Sequence, residues 1–199
     1  MRELLIATRN KGKYSEIVAG LSGMPFTLLS LEEVEAGADV EEPAVTFEGN
    51  ALIKAFTYGK RTGKLVLAED SGLEVDALGG RPGVLSARCA EGTDAERNQK
   101  ILTELSGIPE SERTAQFRTI IAIYDPERAD KVRTCDGVSK GHIAPEARGT
   151  NNFGYDPIFW YDDAAKTGGE MTLTEKMRVS HRGRALVKAR ELLLSEFSV

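Results

Sequence analysis

Leu65-Val66-Leu67-Ala68-Glu69-Asp70-Ser71-Gly72 decides the fold of this 199-residue chain. Its apolar opening is too short for a helix and reads as a buried strand. The strand runs into two adjacent carboxylates and a Ser-Gly pair, which reads as a strand end with a turn, and Leu73–Val75 reads as a further short strand. Before it, Thr46 is placed to cap a helix reaching about Lys60. Before that, Leu4–Ala7 and Phe26–Leu29 read as strands flanking a helix over Asn10–Leu21. Tyr14, Ile17, Val18 and Leu21 recur there at helical spacing, and Gly23 and Pro25 stop the helix. Strands alternating with helices predict an α/β fold.

The pattern continues downstream. Gly79–Gly83 is a turn, and Thr93-Asp94-Ala95-Glu96 is a capping box opening a helix to about Leu105. Thr114–Tyr124 and Lys131–Val138 read as long strands joined as a hairpin through Asp125–Asp130. Ile158–Tyr161 is another apolar strand. Ser180–Phe197 predicts a closing helix with Leu186, Ala189, Leu193 and Phe197 on one face. The central hairpin among βα units predicts a mixed sheet.

Composition narrows the function. Apolar residues make up 41% and charged residues 29%, an ordinary globular mix that excludes a disordered or coiled-coil chain. The 26 basic and 31 acidic residues leave a net charge of −5, which argues against a nucleic-acid partner. Cys89 and Cys135 lie too far apart for a CxxC pair and, with His142 and His181, fit no zinc spacing. The longest apolar run, Ile120–Tyr124, is far short of a membrane span, and Leu4–Ala7 is too short for a signal-peptide core. A soluble, cytoplasmic protein with no membrane partner is expected.

Four motifs carry chemistry. Thr8-Arg9-Asn10-Lys11-Gly12-Lys13 lies where the first strand becomes the first helix, a place that favours an anion; it lacks the Walker spacing. Glu69 and Asp70 suit an oxygen-ligated cation such as Mg²⁺, with a third acid from Glu41-Glu42, and one carboxylate is placed to orient or deprotonate a water. In Asn151-Asn152-Phe153-Gly154-Tyr155-Asp156-Pro157, Gly154 permits a sharp turn, Phe153 and Tyr155 offer faces to stack on a base, and Asp156 offers an acceptor. Lys176–Arg184 is a basic cluster at the start of the last helix, where cations oppose the dipole and a bound anion is favoured. Together they form the inventory of a nucleoside-triphosphate site.

The set resembles the inosine/xanthosine triphosphate pyrophosphatase (Ham1-like) family. The matching blocks are Thr8–Lys13, Thr46-Phe47 with Asn50-Ala51 and Lys54-Ala55, Asp70–Leu73 with Val75-Asp76, Pro82-Gly83-Val84 with Ser86-Ala87-Arg88, Phe153–Phe159, and Glu175-Lys176 with Ser180–Gly183. The resemblance implies an elongated mixed β-sheet flanked by helices, with two lobes and a central nucleotide cleft, in one domain over residues 1–199. It implies a Mg²⁺-dependent homodimer converting ITP, dITP and XTP to the monophosphate and pyrophosphate. Thr8, Arg9, Asn10, Lys11, Gly12 and Lys13 would hold the triphosphate. Glu42 and Asp70 would serve the metal, with Asp70 the proton acceptor, and Lys54 would reach the phosphates. Glu69 completes the catalytic set. Ser71, Phe153, Gly154, Tyr155, Asp156, Lys176, His181 and Arg182 would line the nucleoside pocket, where His181 or Arg182 would donate to a 6-keto oxygen. The chain departs from the family pattern at Glu69, where Asp is commoner, and at Asn151-Asn152, where a Gly pair is usual. A Maf-like pyrophosphatase, a nucleotide-binding regulator without turnover and a nucleic-acid module are the competing readings.

Overall fold

The computed structural model describes residues 1–128 and 131–198. In chain order the strands are β1 (Arg2–Ile6), β2 (Phe26–Ser30), β3 (Leu65–Val75), β4 (Thr114–Tyr124), β5 (Val132–Ile143), β6 (Phe159–Tyr161) and β7 (Lys166–Thr167). The helices are α1 (Lys11–Gly20), α2 (Phe47–Thr62), α3 (Asp94–Glu104), α4 (Leu173–Val179) and α5 (His181–Leu192). The described residues form one seven-stranded sheet in the order β2-β1-β3-β4-β5-β6-β7. β1 runs parallel to both β2 and β3, and β6 is antiparallel to β5 and β7, so the sheet is mixed, with helices flanking it, as expected.

The chain divides into two compact units. The first takes Met1–Asp70, Thr119–Gly137 and Arg182–Val199; the second takes Ser71–Arg118 and Val138–His181. In the first unit Leu4, Leu5 and Ile6 are wholly buried, as a strand with parallel neighbours on both sides requires. Leu5, Val66, Ala68, Ala122 and Tyr124 of the sheet pack with Ala51, Ala55 and Tyr58 of α2. α2 starts where Thr46 Oγ1 accepts the Gly49 N–H at 3.1 Å and ends at left-handed Gly63. Gly59 lets α2 approach the sheet, because a Cβ there would lie 2.6 Å from Tyr124 Cδ1. In the second unit Leu73, Val75, Phe117, Ile143, Phe159 and Tyr161 pack with Ile101 and Leu105 from α3 and the residue after it.

The sequence expectations need four corrections. β3 runs unbroken through Glu69–Gly72, so the carboxylates stand within a strand and no turn separates them from Leu73. Its register against β1 ends at Ile6↔Leu67, and the carboxylates follow just beyond that edge. β5 continues past Val138 to Ile143; Gly141 within it admits β6, since a Cβ there would lie 2.0 Å from the Trp160 carbonyl oxygen. The closing helix is preceded by α4, opened by a capping box between Thr172 and Glu175, and Ser180 is extended between the two helices. Lys176 and Arg178 therefore end α4, where the dipole favours cations, and only His181, Arg182 and Arg184 open α5. Helical winding after Leu192 continues as a π turn over Leu193–Phe197. Of the hairpin connection, Ala129 and Asp130 lie outside the described residues. No helix among the described residues is long and apolar enough to cross a membrane.

Candidate active site

Adjacent residues of a strand point to opposite faces of its sheet. Glu69 and Asp70 accordingly meet different partners.

Asp70 meets α2. Asn50 and Lys54 lie four residues apart, one turn, on the stripe that also buries Phe47, Ala51 and Tyr58. Asn50 Nδ2 donates to Asp70 Oδ2 at 3.1 Å, and Asn50 Oδ1 accepts the Ala44 N–H at 2.9 Å. Lys54 Nζ lies 3.7 Å from Asp70 Oδ1 and donates to Glu42 Oε2 at 2.7 Å. Glu42 and Asp70 thus stand either side of one ammonium group. Burial raises the Asp70 pKa and Glu42 adds to the rise; Lys54, Lys13 and the Asn50 hydrogen bond oppose it without cancelling it. Asn50 was not among the expected site residues. Its signal is a polar residue at i, i−4 from Lys54 on an otherwise apolar stripe.

Glu69 meets α1 and α5. Arg182 Nε donates to Glu69 Oε2 at 2.7 Å and Nη2 to Oε1 at 3.0 Å, while Nη1 reaches Glu16 Oε2. Lys13 Nζ lies 3.1 Å from Glu69 Oε1. Glu16, Glu69 and Arg182 are all buried. Burial alone would raise the Glu69 pKa, but the charges and hydrogen bonds of Arg182 and Lys13 outweigh it and hold the carboxyl far below its usual range. A carboxylate so held is a poor proton acceptor, in keeping with the expectation that Asp70 takes that part. Arg182 is fixed in place by these bonds, with three of its nitrogens going to Glu69 and Glu16. Glu16 escaped the sequence reading, because nothing local announces a partner 166 residues away.

The Thr8–Lys13 segment follows β1. Asn10 caps α1, its Oδ1 accepting the Lys13 N–H at 3.0 Å, and Thr8 Oγ1 accepts the Asn10 N–H at 3.2 Å. Arg9 is tied to Asp39 and to the Gly37 carbonyl. Thr8, Arg9, Lys11 and Tyr14 line a hollow of about 200 Å³ with Ser30, Leu31 and Glu32. Gly12 is the second residue of α1.

In the second unit, Gly154 adopts φ +56, the left-handed conformation that glycine accepts most readily. Tyr155 is 6% exposed and belongs to the core cluster, and its hydroxyl donates to the Ser86 carbonyl at 2.8 Å. Its ring therefore offers no free stacking face, contrary to expectation. Phe153 is half-buried, with Lys176 Nζ 5.0 Å from its ring centroid. Lys176 itself is buried and donates to the buried carboxylate of Asp156, which also accepts from Asn151 Nδ2 at 3.3 Å. His181 stacks on Phe117, with ring centroids 4.5 Å apart. Ser71 is half-buried on β3.

A model of the Ham1 family matches residues 4–192. The dITP/XTP pyrophosphatase of Geobacter sulfurreducens is 49% identical over 97% of this chain and 97% of its own length. That of Bacillus subtilis is 45% identical over 97% of this chain and 98% of its own length. Among solved structures, a HAM1 protein from Coxiella burnetii superposes with a TM-score of 0.88 at 40% identity, covering 98% of this chain and 99% of that one. The nucleoside-triphosphatase / dITP/XTP pyrophosphatase of Mycobacterium abscessus gives 0.74 at 43% identity, over 94% and 98%.

Proposed function

The chain belongs to the Ham1 family, and we propose that it hydrolyses deaminated purine nucleoside triphosphates — ITP, dITP and XTP — to the monophosphate and pyrophosphate, clearing them from the nucleotide pool. The observation that carries this reading is Asp70: a buried carboxylate with a raised pKa, oriented by Asn50 and set beside the Lys54 ammonium that Glu42 shares. Perturbed titration of this kind concentrates at catalytic positions.

A water attacks the α-phosphorus in line and the α–β phosphoanhydride bond breaks, so pyrophosphate leaves. Asp70 accepts the proton of that water. Lys54, together with Thr8–Lys13, offsets the phosphate charge, and positioning with charge neutralisation supplies most of the acceleration. Glu69 acts through others, holding Lys13 toward the phosphates and Arg182 in place. The donor set suits Mg²⁺, which usually takes one or two protein carboxylates and completes its shell with phosphate oxygens and water. Glu42 and Asp70 are two such carboxylates, and the described residues hold no group of three or more His, Cys, Asp or Glu that would cage an ion alone. Bound there, Mg²⁺ would supply neutralisation of the phosphate oxygens.

Base selection falls to Ser71, Phe153, Gly154, Asp156, Lys176, His181 and Arg182, with Tyr155 as the buried support of that loop. A donor facing a 6-keto oxygen loses its partner against a 6-amino group, a mismatch worth ~10⁴-fold or more. The same reading takes residues 1–199 as one functional domain, supported by relatives that match the chain over nearly their whole length. The homodimer rests on the family resemblance, and the cytoplasmic location is the expectation drawn from the sequence.

Pyrophosphate release from ITP, XTP, GTP and ATP at equal concentration, with Mg²⁺ and with EDTA, tests the proposal. Fast release from ITP and XTP that EDTA abolishes is expected. Equal release from ATP would overturn the base selection, and no release from any nucleotide would overturn the activity.

A further inference from the structure

Both backbone polar groups of Gly154 go to α3. Its N–H donates to Asp94 Oδ2 at 2.7 Å, and its carbonyl accepts from Asn98 Nδ2 at 3.1 Å. Asp94 and Asn98 are four residues apart and share one helix face, so together they grip a single residue from both sides. Asp94 is steadied in turn by Arg97 Nη2 at 2.5 Å. Asn98 is 5% exposed, and its Oδ1 is buried without a hydrogen-bond partner among the described residues. A half-satisfied buried amide is unfavourable, and an apolar residue of similar size would pack there at less cost. The hydrogen bond that Asn98 makes to Gly154 accounts for its presence.

The grip has consequences along the loop. The dihedrals of Gly154 set the course of the chain on both sides of it. On one side is the Phe153 ring, under the Lys176 ammonium; on the other is the Asp156 carboxylate, bonded to the same Lys176. Tyr155 is anchored separately through Ser86 and lies 2.8 Å from Cys89 Sγ. A free Gly154 would let Phe153 and Asp156 sample several orientations.

We propose that Asp94 and Asn98 are positioning residues for substrate specificity, clamping Gly154 so that Phe153 and Asp156 present one fixed arrangement to a 6-keto purine. The proposal rests on the reading of this loop as the base-recognising segment.

Steady-state kinetics on ITP and ATP test it, for the wild type, Asp94→Ala, Asn98→Ala and Asp94→Asn. In each alanine variant kcat/KM for ITP should fall about tenfold to a hundredfold, carried by KM, and the ITP:ATP preference should contract. Asp94→Asn should restore most of both, because its amide oxygen still accepts from Gly154 although its NH2 group gives up the Arg97 bond. Loss shared equally by both substrates, or confined to kcat or the melting temperature, would overturn the clamp, since a lower folded fraction cannot change a ratio of substrates. If Asn98→Ala fails to fold, Asp94→Ala carries the test from its half-exposed helix start. A wild type that prefers ITP while the variants keep its ratio refutes the clamp alone; a wild type without that preference refutes the loop reading and the clamp together.

Discussion

Glu69→Gln removes one charge from the buried network and keeps its shape. The Glu69 side chain is fully buried, bonded twice by Arg182 at 2.7 and 3.0 Å and paired with Lys13 at 3.1 Å. Removing one partner of a buried pair costs about 3–5 kcal/mol, because a charge is left uncompensated. Two features lower that figure here: Glu16 stays on Arg182, and the glutamine oxygen still accepts one bond. A loss of about 2–3 kcal/mol is expected, a large share of the ~5–15 kcal/mol that holds a domain folded. Urea unfolding of the EDTA-treated protein at pH 7 should show a midpoint lower by about 1 M.

The pH dependence gives the deduction its sign. The folded pKa of Glu69 lies below its unfolded value near 4.5, so its contribution is present above that value and fades as pH falls toward the folded one. The wild-type advantage should be flat from pH 7 to about 5 and then shrink by about 1.4 kcal/mol per unit below about 4. A difference under about 0.5 kcal/mol at pH 7, the scale of an ordinary surface substitution, would refute the network's weight. A difference that did not narrow in acid would refute the assignment of charge. Kinetics of the same variant separate positioning from proton transfer. With Lys13 released, KM should rise about tenfold while kcat holds. A kcat loss of ~10³-fold at unchanged KM would put Glu69 in the proton path after all.

Asp70→Asn should lower kcat by about 10²–10⁴-fold while nucleotide binding persists, and near-normal turnover would remove Asp70 from its role. Because the folded pKa of Asp70 is raised, its ionised form costs stability as pH climbs through that value; the amide variant should melt higher than metal-free wild type at pH 8, with the gain vanishing below the unfolded pKa near 3.8. A lower melting temperature at pH 8 would contradict that sign. Gly59→Ala gains about 1 kcal/mol of helix propensity but drives a methyl to 2.6 Å from Tyr124 Cδ1; overpacking of about 1–3 kcal/mol should win, and a raised melting temperature would refute it. Burial pushes the Cys135 thiol up to about 12, so only ~10⁻⁴ of it is thiolate at pH 8 and iodoacetamide should leave it intact for hours; modification within minutes, seen by mass spectrometry, would count against it.

Local patterns were readable where local physics decides them. Thr114–Tyr124 is legible to the residue, because its run of β-formers is bounded by Arg113 and by Asp125-Pro126. The α3 start is equally plain, since a capping box is made within four residues of chain. Glu69–Gly72 misleads because carboxylates and a Ser-Gly pair are local turn formers. What keeps them extended comes from afar: β4 alongside, and Arg182, which lies 113 residues along the chain. α4 is only seven residues long, too short for apolar periodicity to show. Tyr155 reads as an exposed ring because its neighbours are polar and turn-forming, yet its hydroxyl reaches Ser86, 69 residues away. The residues alone offer Glu41-Glu42 as an acid beside Asp70, but the choice of Glu42 and the place of Lys54 came through the family resemblance, since an acidic loop by itself reads as solvated surface.

Glu69 and Asp70 are covalent neighbours whose carboxyls are pushed in opposite directions. Both are buried, so desolvation acts on each and cannot explain the divergence. The difference lies in what stands opposite. Glu69 faces a guanidinium in bidentate contact and an ammonium, which together overwhelm desolvation. Asp70 faces the Lys54 ammonium at 3.7 Å, a weaker pull from Lys13, a neutral amide, and a second carboxylate that draws on Lys54. Glu42 therefore does more than complete a donor pair: by drawing Lys54 to 2.7 Å it weakens the counter-charge on Asp70 and leaves that carboxyl able to take a proton. Where two titratable groups are driven apart by their surroundings, their roles separate as well. The alternation of a β-strand allows one dipeptide to supply an anchor ionised at neutral pH on one face and, in the proposed mechanism, a proton acceptor on the other. Exchanging the two environments would leave an acceptor that cannot be protonated and an anchor that cannot stay charged.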